Sequence, residues 1–211
     1  MVLTNGWYFY DSAIDKKICN KLKSIGKSSF NGARVSERRK ELSDEERKTG
    51  IVPDYSANNK IRISDVSWTT EQWVIDLIWP FMLKANKAAS WNFDIKSVES
   101  VQLTKYKTNG FYGWHSDGCA DCLSTYDMPE NKFLHGNARK LSMTILLNDN
   151  YHGGEFQFAV SRNGAVDIET PNFKNSGSVI VFPSFSWHQV TPVTKGTRYS
   201  LVAWFVWPPF K

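Results

Sequence analysis

The spacing of apolar positions changes character once along this chain, near residue 92. Before that point the period is helical. Ile14, Ile18, Leu22 and Ile25 recur at three- and four-residue intervals, which marks one face of an α-helix. A helix is therefore predicted over residues 11–26, with Asp11 or Ser12 capping its start and Gly26 ending it. Residues 27–60 turn polar and are broken by Gly32, Gly50 and Pro53, so a long loop with room for a short helix is expected. Thr69 and Gln72 have the spacing of a capping box. Val74, Leu77, Ile78, Phe81, Met82 and Ala85 follow as a second amphipathic stripe. Pro80 should kink that helix or start a new segment.

Beyond Asn92 short runs alternate apolar and polar residues between clusters of Gly, Asn, Asp and Pro. Candidate strands cover residues 98–106, 140–147, 154–159, 179–182 and 197–207. No helix-length pattern separates them, so the sheets should be antiparallel, as in a jelly roll or sandwich. The reading is mainly β with N-terminal helices: one domain over residues 1–211, a helical and loop flank at 1–94 and a β core at 95–207.

Composition adds limits. Hydrophobic residues make up 41% and charged residues 22% of 211, enough for a core without disulfides or a structural metal. The formal charge is +5. That suits attraction to an anion such as a dicarboxylate but does not establish nucleic-acid binding. The most charged run, 36–48, carries five basic and five acidic residues and cancels itself. No apolar run approaches the roughly eighteen residues of a membrane span, and the first fifteen residues lack the pattern of a signal peptide. Three cysteines, an odd number, argue against a secreted disulfide scaffold and for a reducing, cytoplasmic setting.

The chemistry centres on Gly113-Trp114-His115-Ser116-Asp117-Gly118. On an extended segment the side chains of His115 and Asp117, two apart, share a face and can make two adjacent bonds to a metal. A third ligand must come from elsewhere, and His188 lies between two predicted strands. Two His and one carboxylate on one side of an Fe(II) ion leave three positions open, the arrangement of oxygen-activating non-haem iron sites. Arg198 stands at the start of a strongly apolar strand and shares a face with Ser200, Val202 and Trp204. A buried Arg needs an anion or a carboxylate, and a guanidinium fork suits a bound carboxylate, with the Ser200 hydroxyl beside it. Gln102, Thr104 and Tyr106 form a second polar face that leads towards His115.

These stretches resemble the prolyl 4-hydroxylase superfamily of Fe(II)/2-oxoglutarate-dependent oxygenases, most closely the bacterial PKHD-type hydroxylases. The resemblance runs through residues 106–117, 139–149 and 153–155, and is most specific over 182–198, in all about half of the chain. It implies a double-stranded β-helix, a cupin-like jelly roll, with His115, Asp117 and His188 holding iron. It implies Arg198 and Tyr106, with Ser200 beside them, on the distal carboxylate of 2-oxoglutarate, and Ser142 near that cosubstrate. The implied activity consumes dioxygen and 2-oxoglutarate and releases succinate and carbon dioxide, with ascorbate as a reductant. The implied substrate is a protein or peptide side chain, foremost prolyl. Arg198 departs from the Lys of collagen-type members but is normal in the PKHD branch. Nucleic-acid demethylases of the superfamily have a second Arg where this chain has Trp204, which argues against a nucleic-acid partner. The first 90 residues match the PKHD core poorly, which leaves the substrate open.

Other residues keep two readings. Cys119 and Cys122, with His135, suit a redox pair or half a zinc site, but a mobile loop over 118–137 suits them better, with Tyr126 and Phe133 facing substrate. His152 reads as a surface turn before a fourth ligand, Cys19 as core, and Trp114 and Trp187 as cavity wall or core. Three function classes remain: hydroxylase of a protein side chain, hydroxylase of a free amino acid or other small molecule, and a non-catalytic β-barrel binding module. A zinc hydrolase on the same barrel fails to explain Arg198.

Overall fold

The computed structural model describes residues 6–27, 29–33, 61–118, 125–162 and 164–209. Two helices and fifteen strands appear among them. In order they are β1 (Tyr8–Tyr10), α1 (Lys16–Ile25), β2 (Asn31–Gly32), β3 (Arg62–Ile63), β4 (Asp65–Thr69), α2 (Gln72–Ala88), β5 (Ser97–Val98) and β6 (Val101–Tyr106). There follow β7 (Phe111–His115), β8 (Ala138–Leu146), β9 (His152–Gly153), β10 (Phe156–Arg162), β11 (Ala165–Glu169), β12 (Val179–Pro183), β13 (His188–Val190), β14 (Val193–Lys195) and β15 (Arg198–Trp207).

A large sheet runs β1-β12-β8-β15-β6-β4-β2, with β5 also on β15; a smaller one runs β11-β10-β13-β7-β3; β14 and β9 form a third pair. Every pairing between the named strands is antiparallel, and an isolated bridge joins Tyr126 to His135 in parallel. Alternation along the large-sheet strands divides their side chains between two cores. Val101, Leu103, Leu141, Met143, Ile145, Leu201, Ala203 and Phe205 face the helices. Tyr106, Leu146, Ile180 and Phe182 face the small sheet and meet Phe156, Phe158 and Val190 there. The expected jelly-roll architecture follows: helices outside one sheet, a site between two sheets.

The helices are held by their apolar stripes. α2 buries Val74, Ile78, Met82 and Ala85 completely, each of the three larger side chains contributing about 2 kcal/mol. Its C-terminal exit is clamped by Asn86, whose Nδ2 donates to Phe93 O at 2.7 Å and whose Oδ1 accepts from Phe93 N at 3.0 Å. None of the described helices is long and apolar enough to cross a membrane.

Several local expectations change. The first helix starts at Lys16, not near residue 11, because Asp15 accepts from Lys17 N at 2.6 Å and caps it. Asp11 instead accepts from Asn175 and Ser178, so its carboxylate is spent on the 175–178 turn. The capping box fails too. Glu71 occupies the N-cap of α2 without a side-chain cap bond, while Thr69 Oγ1, two residues before it, accepts from Glu71 N at 3.2 Å. Of the two outcomes expected at Pro80, no new segment starts there: α2 continues through it as one helix, since packing of its buried stripe outweighs one missing backbone bond. Of the loop expected over 27–60, residue 28 and residues 34–60 lie outside the described residues. Cys19 is core, 1% exposed on α1.

Candidate metal centre

His115 ends β7 and His188 begins β13, and the two are direct partners across the small sheet. Asp117 lies two residues past β7, held by Gly118 N donating to Ser184 O at 2.7 Å and by Arg139 Nη1 donating to Asp117 O at 3.3 Å. His115 Nε2 stands 3.7 Å from Asp117 Oδ1, and His188 Nε2 stands 3.7 Å from Asp117 Oδ2. All three ligand atoms lie within 4.8 Å of one another, and no other described His, Cys, Asp and Glu residues form such a group. The other ring nitrogens are engaged: His115 Nδ1 with Gly113 O at 2.7 Å and His188 Nδ1 with Ser186 O at 2.9 Å. A neutral imidazole donating from Nδ1 leaves the Nε2 lone pair free, so both rings present the ligand form inwards.

Electrostatics favour the same states. Burial first, then neighbouring His188, lowers the His115 pKa to about 3, so the ring is neutral at ordinary pH. Burial alone would raise Asp117. His188, His115 and Arg139 outweigh it, with the Ser142 hydroxyl adding a hydrogen bond, and hold the carboxyl below its usual range. Two imidazoles and one carboxylate, converging, are a donor set for a divalent metal such as Fe(II).

Apolar walls fix the His188 ring, which stacks on Phe156 at 5.3 Å and meets Phe182 edge-on at 4.7 Å. Tyr112 lies flat on His115, with ring centres 3.5 Å apart, and the Arg62 guanidinium covers Tyr112 at 4.5 Å. Burial pushes the Tyr112 phenol up to about 12, so it stays a neutral hydroxyl against the ring.

On the large sheet facing this centre, Arg198 is 1% exposed. Its Nη1 donates to Ser200 Oγ at 3.1 Å, and its guanidinium sits 5.4 Å from the Tyr106 ring, Tyr106 being its cross-strand partner on β6. Its Nε and Nη2 have no acceptor. A cation buried this fully, with two N–H groups unused, is suited to receive an anion. Gly154 makes room for it: with φ +67°, a Cβ there would stand 3.0 Å from Arg198 Cδ.

The remaining expected residues are placed as follows. Ser142 is fully buried beside Ser184 Oγ, at 2.9 Å, and Asp117. Trp204 is buried, with Nε1 unpartnered and Arg139 over its face at 4.1 Å. Trp187 is half exposed and Trp114 partly buried, so neither is core. His152 is exposed on β9, away from the cluster. His135 accepts from Met128 N through Nδ1; Cys119 and Cys122 lie outside the described residues. Tyr126 turns inwards, donating to Glu99 at 2.7 Å, while Phe133 is 74% exposed.

Sequence reading missed four contributors: Arg62, Glu99, Tyr112 and Arg139. Arg139 was visible only as part of a matching stretch. Its part-buried pairing with Glu99, at 2.6 and 2.7 Å, had no local signal, because Glu99 lies forty residues away.

Comparison with known proteins bears on the same region. The model of the 2OG-Fe(II) oxygenase superfamily matches residues 101–206. A PKHD-type hydroxylase of Synechococcus sp. (strain CC9902) is 32% identical over 112 residues, covering 52% of this chain and 42% of the relative. A PKHD-type hydroxylase of Escherichia coli O157:H7 is 32% identical over 114 residues, covering 53% and 43%. The matched region thus spans less than half the length of these relatives. The fold is similar to a Pseudomonas putida prolyl-4-hydroxylase, with TM-score 0.60 and 16% identity over 96% of this chain and 92% of that one. It is also similar to a Trichoplax adhaerens prolyl hydroxylase, solved with a hypoxia inducible factor oxygen degradation domain peptide fragment. There the TM-score is 0.65 at 14% identity, over 96% of this chain and 84% of the other. With the family match extending over half of its residues, this chain belongs to the 2OG-Fe(II) oxygenase superfamily.

Proposed function

We propose that the protein is an Fe(II)- and 2-oxoglutarate-dependent dioxygenase that hydroxylates a protein or peptide side chain, foremost prolyl. The observation that carries this reading is Arg198: a nearly fully buried cation with two unused N–H groups, on the wall facing the His115, Asp117 and His188 cluster. A metal site alone would not need that cation. A dicarboxylate that binds the metal at one end and the guanidinium at the other accounts for both.

The residues fit the groups. His115 and His188 would bind Fe(II) through Nε2, and Asp117 through a carboxylate oxygen. Arg198 would take the distal carboxylate of 2-oxoglutarate through Nε and Nη2, with Ser200 holding its third nitrogen and Tyr106 lying against the guanidinium. Bound there, Fe(II), dioxygen and 2-oxoglutarate supply the chemistry: one oxygen atom enters a substrate C–H bond, and the other ends in succinate as carbon dioxide leaves. The chain's own work is to orient and to exclude water. Gly113 and Ser186 carbonyls lock both imidazoles, Ser142 and Arg139 steady Asp117, and Phe156, Phe158 and Phe182 keep the His188 side dry. No protein side chain needs to move a proton for this role.

The substrate assignment is supported by the names of the relatives and by the Trichoplax protein's peptide complex. It is supported also by Trp68 and Trp187, which are 52% and 49% exposed. Trp187 adjoins His188 in the chain, and Trp68 lies 5.9 Å from Trp204. Half-exposed aromatics beside the site suit an extended chain better than a sealed small molecule.

The test is anaerobic addition of Fe(II) and 2-oxoglutarate, watching for the visible metal-to-ligand charge-transfer band, with His188→Ala alongside. A band in wild type that disappears in the variant is expected, followed by peptide-dependent succinate release. No band in folded wild-type protein sinks the reading. Release driven by free amino acids, and not by peptides, would leave the oxygenase and overturn its substrate.

A further inference from the structure

Asp117 is the only member of the metal cluster that lies outside a ladder strand, so something other than sheet pairing must hold its main chain. Part of that hold comes from far away. Glu99, between β5 and β6, is 9% exposed, and its own N–H donates to Trp204 O at 2.9 Å. Its carboxylate receives three bonds: from Arg139 Nε at 2.6 Å, Arg139 Nη2 at 2.7 Å and the Tyr126 hydroxyl at 2.7 Å. The remaining Arg139 nitrogen, Nη1, donates to Asp117 O at 3.3 Å.

Arg139 reaches that carbonyl through an irregularity in β8. Leu141 pairs with Phe205, but Val206 pairs with Arg139, so Lys140 is an extra residue. Without it, Arg139 would share the face of Leu141, towards the helices. A buried ion pair is a poor source of stability compared with apolar side chains of the same shape. Its value here is therefore geometric: a bidentate fork permits one orientation, which aims the third nitrogen at Asp117 and lays the plane on Trp204.

We propose that Glu99 is a positioning residue for the metal centre, acting through Arg139 on the Asp117 main chain. It rests on the metal reading above. Tyr126 makes the segment after residue 124 part of the same chain of contacts, so the segment's position and the ligand's position are linked through one carboxylate.

The experiment titrates metal-free protein with Co(II) and reads both the dissociation constant and the visible ligand-field spectrum, without turnover. In wild type a bound, distorted Co(II) spectrum is expected. In Glu99→Gln the affinity should fall roughly tenfold to a hundredfold, the usual effect of removing a partner behind a ligand, with a shifted spectrum. Tyr126→Phe should move both in the same direction by less than tenfold. If Glu99→Gln does not fold, the double variant Glu99→Gln/Arg139→Gln, which leaves no charge unpaired, should show the same loss. A folded Glu99→Gln, or the double variant, with wild-type affinity and spectrum would overturn the positioning role. Wild-type protein that binds no Co(II) would overturn the metal assignment itself, which is a separate and earlier failure.

Discussion

Replacing Arg198 with Met should do two opposite things. Met keeps much of the stem volume against Gly154 and Val193, so little cavity opens. In metal-free protein the wild-type guanidinium is 1% exposed, with Nε and Nη2 unsatisfied. Each buried unsatisfied donor costs about 1–3 kcal/mol, partly offset by Ser200 and by the Tyr106 ring. Removing the group should raise the stability of the empty protein by about 2 kcal/mol, or roughly 4–8 °C in midpoint for a chain of this length. Binding should suffer in return. Two charge-assisted hydrogen bonds are worth about 1.5–3 kcal/mol each. Allowing for desolvation of the carboxylate, about 3–4 kcal/mol should be lost, or two to three decades in the 2-oxoglutarate dissociation constant. Thermal unfolding with Mn(II), with and without 2-oxoglutarate, reads both at once, because ligand raises the midpoint only where it binds the folded state. The expected record is a higher baseline midpoint and no cosubstrate-dependent rise at concentrations that saturate wild type. A variant that is less stable when empty, yet keeps the full rise, would refute the anion-binding argument.

Two further outcomes follow from the same region. Gly154→Ala places a Cβ at φ +67°, 3.0 Å from both Arg198 Cδ and Val193 Cγ2. Urea unfolding should show a loss of about 1–3 kcal/mol, together with weaker 2-oxoglutarate binding. Gly164→Ala, at φ +81° with open space around it, should cost only backbone strain and leave binding unchanged; equal binding losses in both would defeat the packing argument. The metal-free protein should also lose stability in acid through His115. Its folded pKa is lowered to about 3 against about 6.5 unfolded. Between those values the unfolded chain binds the extra proton, so stability present above about pH 6.5 falls as pH drops, by at most about 1.4 kcal/mol per unit. Urea midpoints from pH 7.5 to 5 should decline less in His115→Asn, and an identical decline would remove His115 as the cause.

Much of this site was legible because it rests on strict alternation. Arg198, Ser200 and Trp204 fall on one face of β15, with Leu201, Ala203 and Phe205 on the other, and the two cores divide on those positions. Gln102, Thr104 and Tyr106 part from Val101 and Leu103 in the same way on β6. The helical stripe of α2 was equally plain, since Val74, Ile78, Met82 and Ala85 all bury completely. What failed were ends and short pieces. Choosing between Asp11 and Asp15 as a cap depends on what else can use the carboxylate, and Asn175 and Ser178 lie far along the chain. Strands of two or three residues, such as β3, β9 and β14, hold too few positions to show a period.

Two of the residues that escaped, Tyr112 and Arg139, did so for one physical reason. Tyr112 and His115 are three apart, and in a regular strand they would face opposite ways. Yet β13 steps two residues, from His188 to Val190, while β7 steps three between their partners, so both rings turn to one face and stack at 3.5 Å. Arg139 is moved inwards by the extra residue in β8. Each irregularity costs ladder pairing and returns a side chain to the cavity that alternation would have sent away. Both sit beside the metal cluster: one sets the wall of His115, the other braces Asp117. A period-two reading finds the side chains of an ordinary sheet. It must misplace those of a site that needs Tyr112 and His115, three apart, on one face. The breaks in alternation in β7 and β8 are therefore places where the sheet serves the centre, not the core.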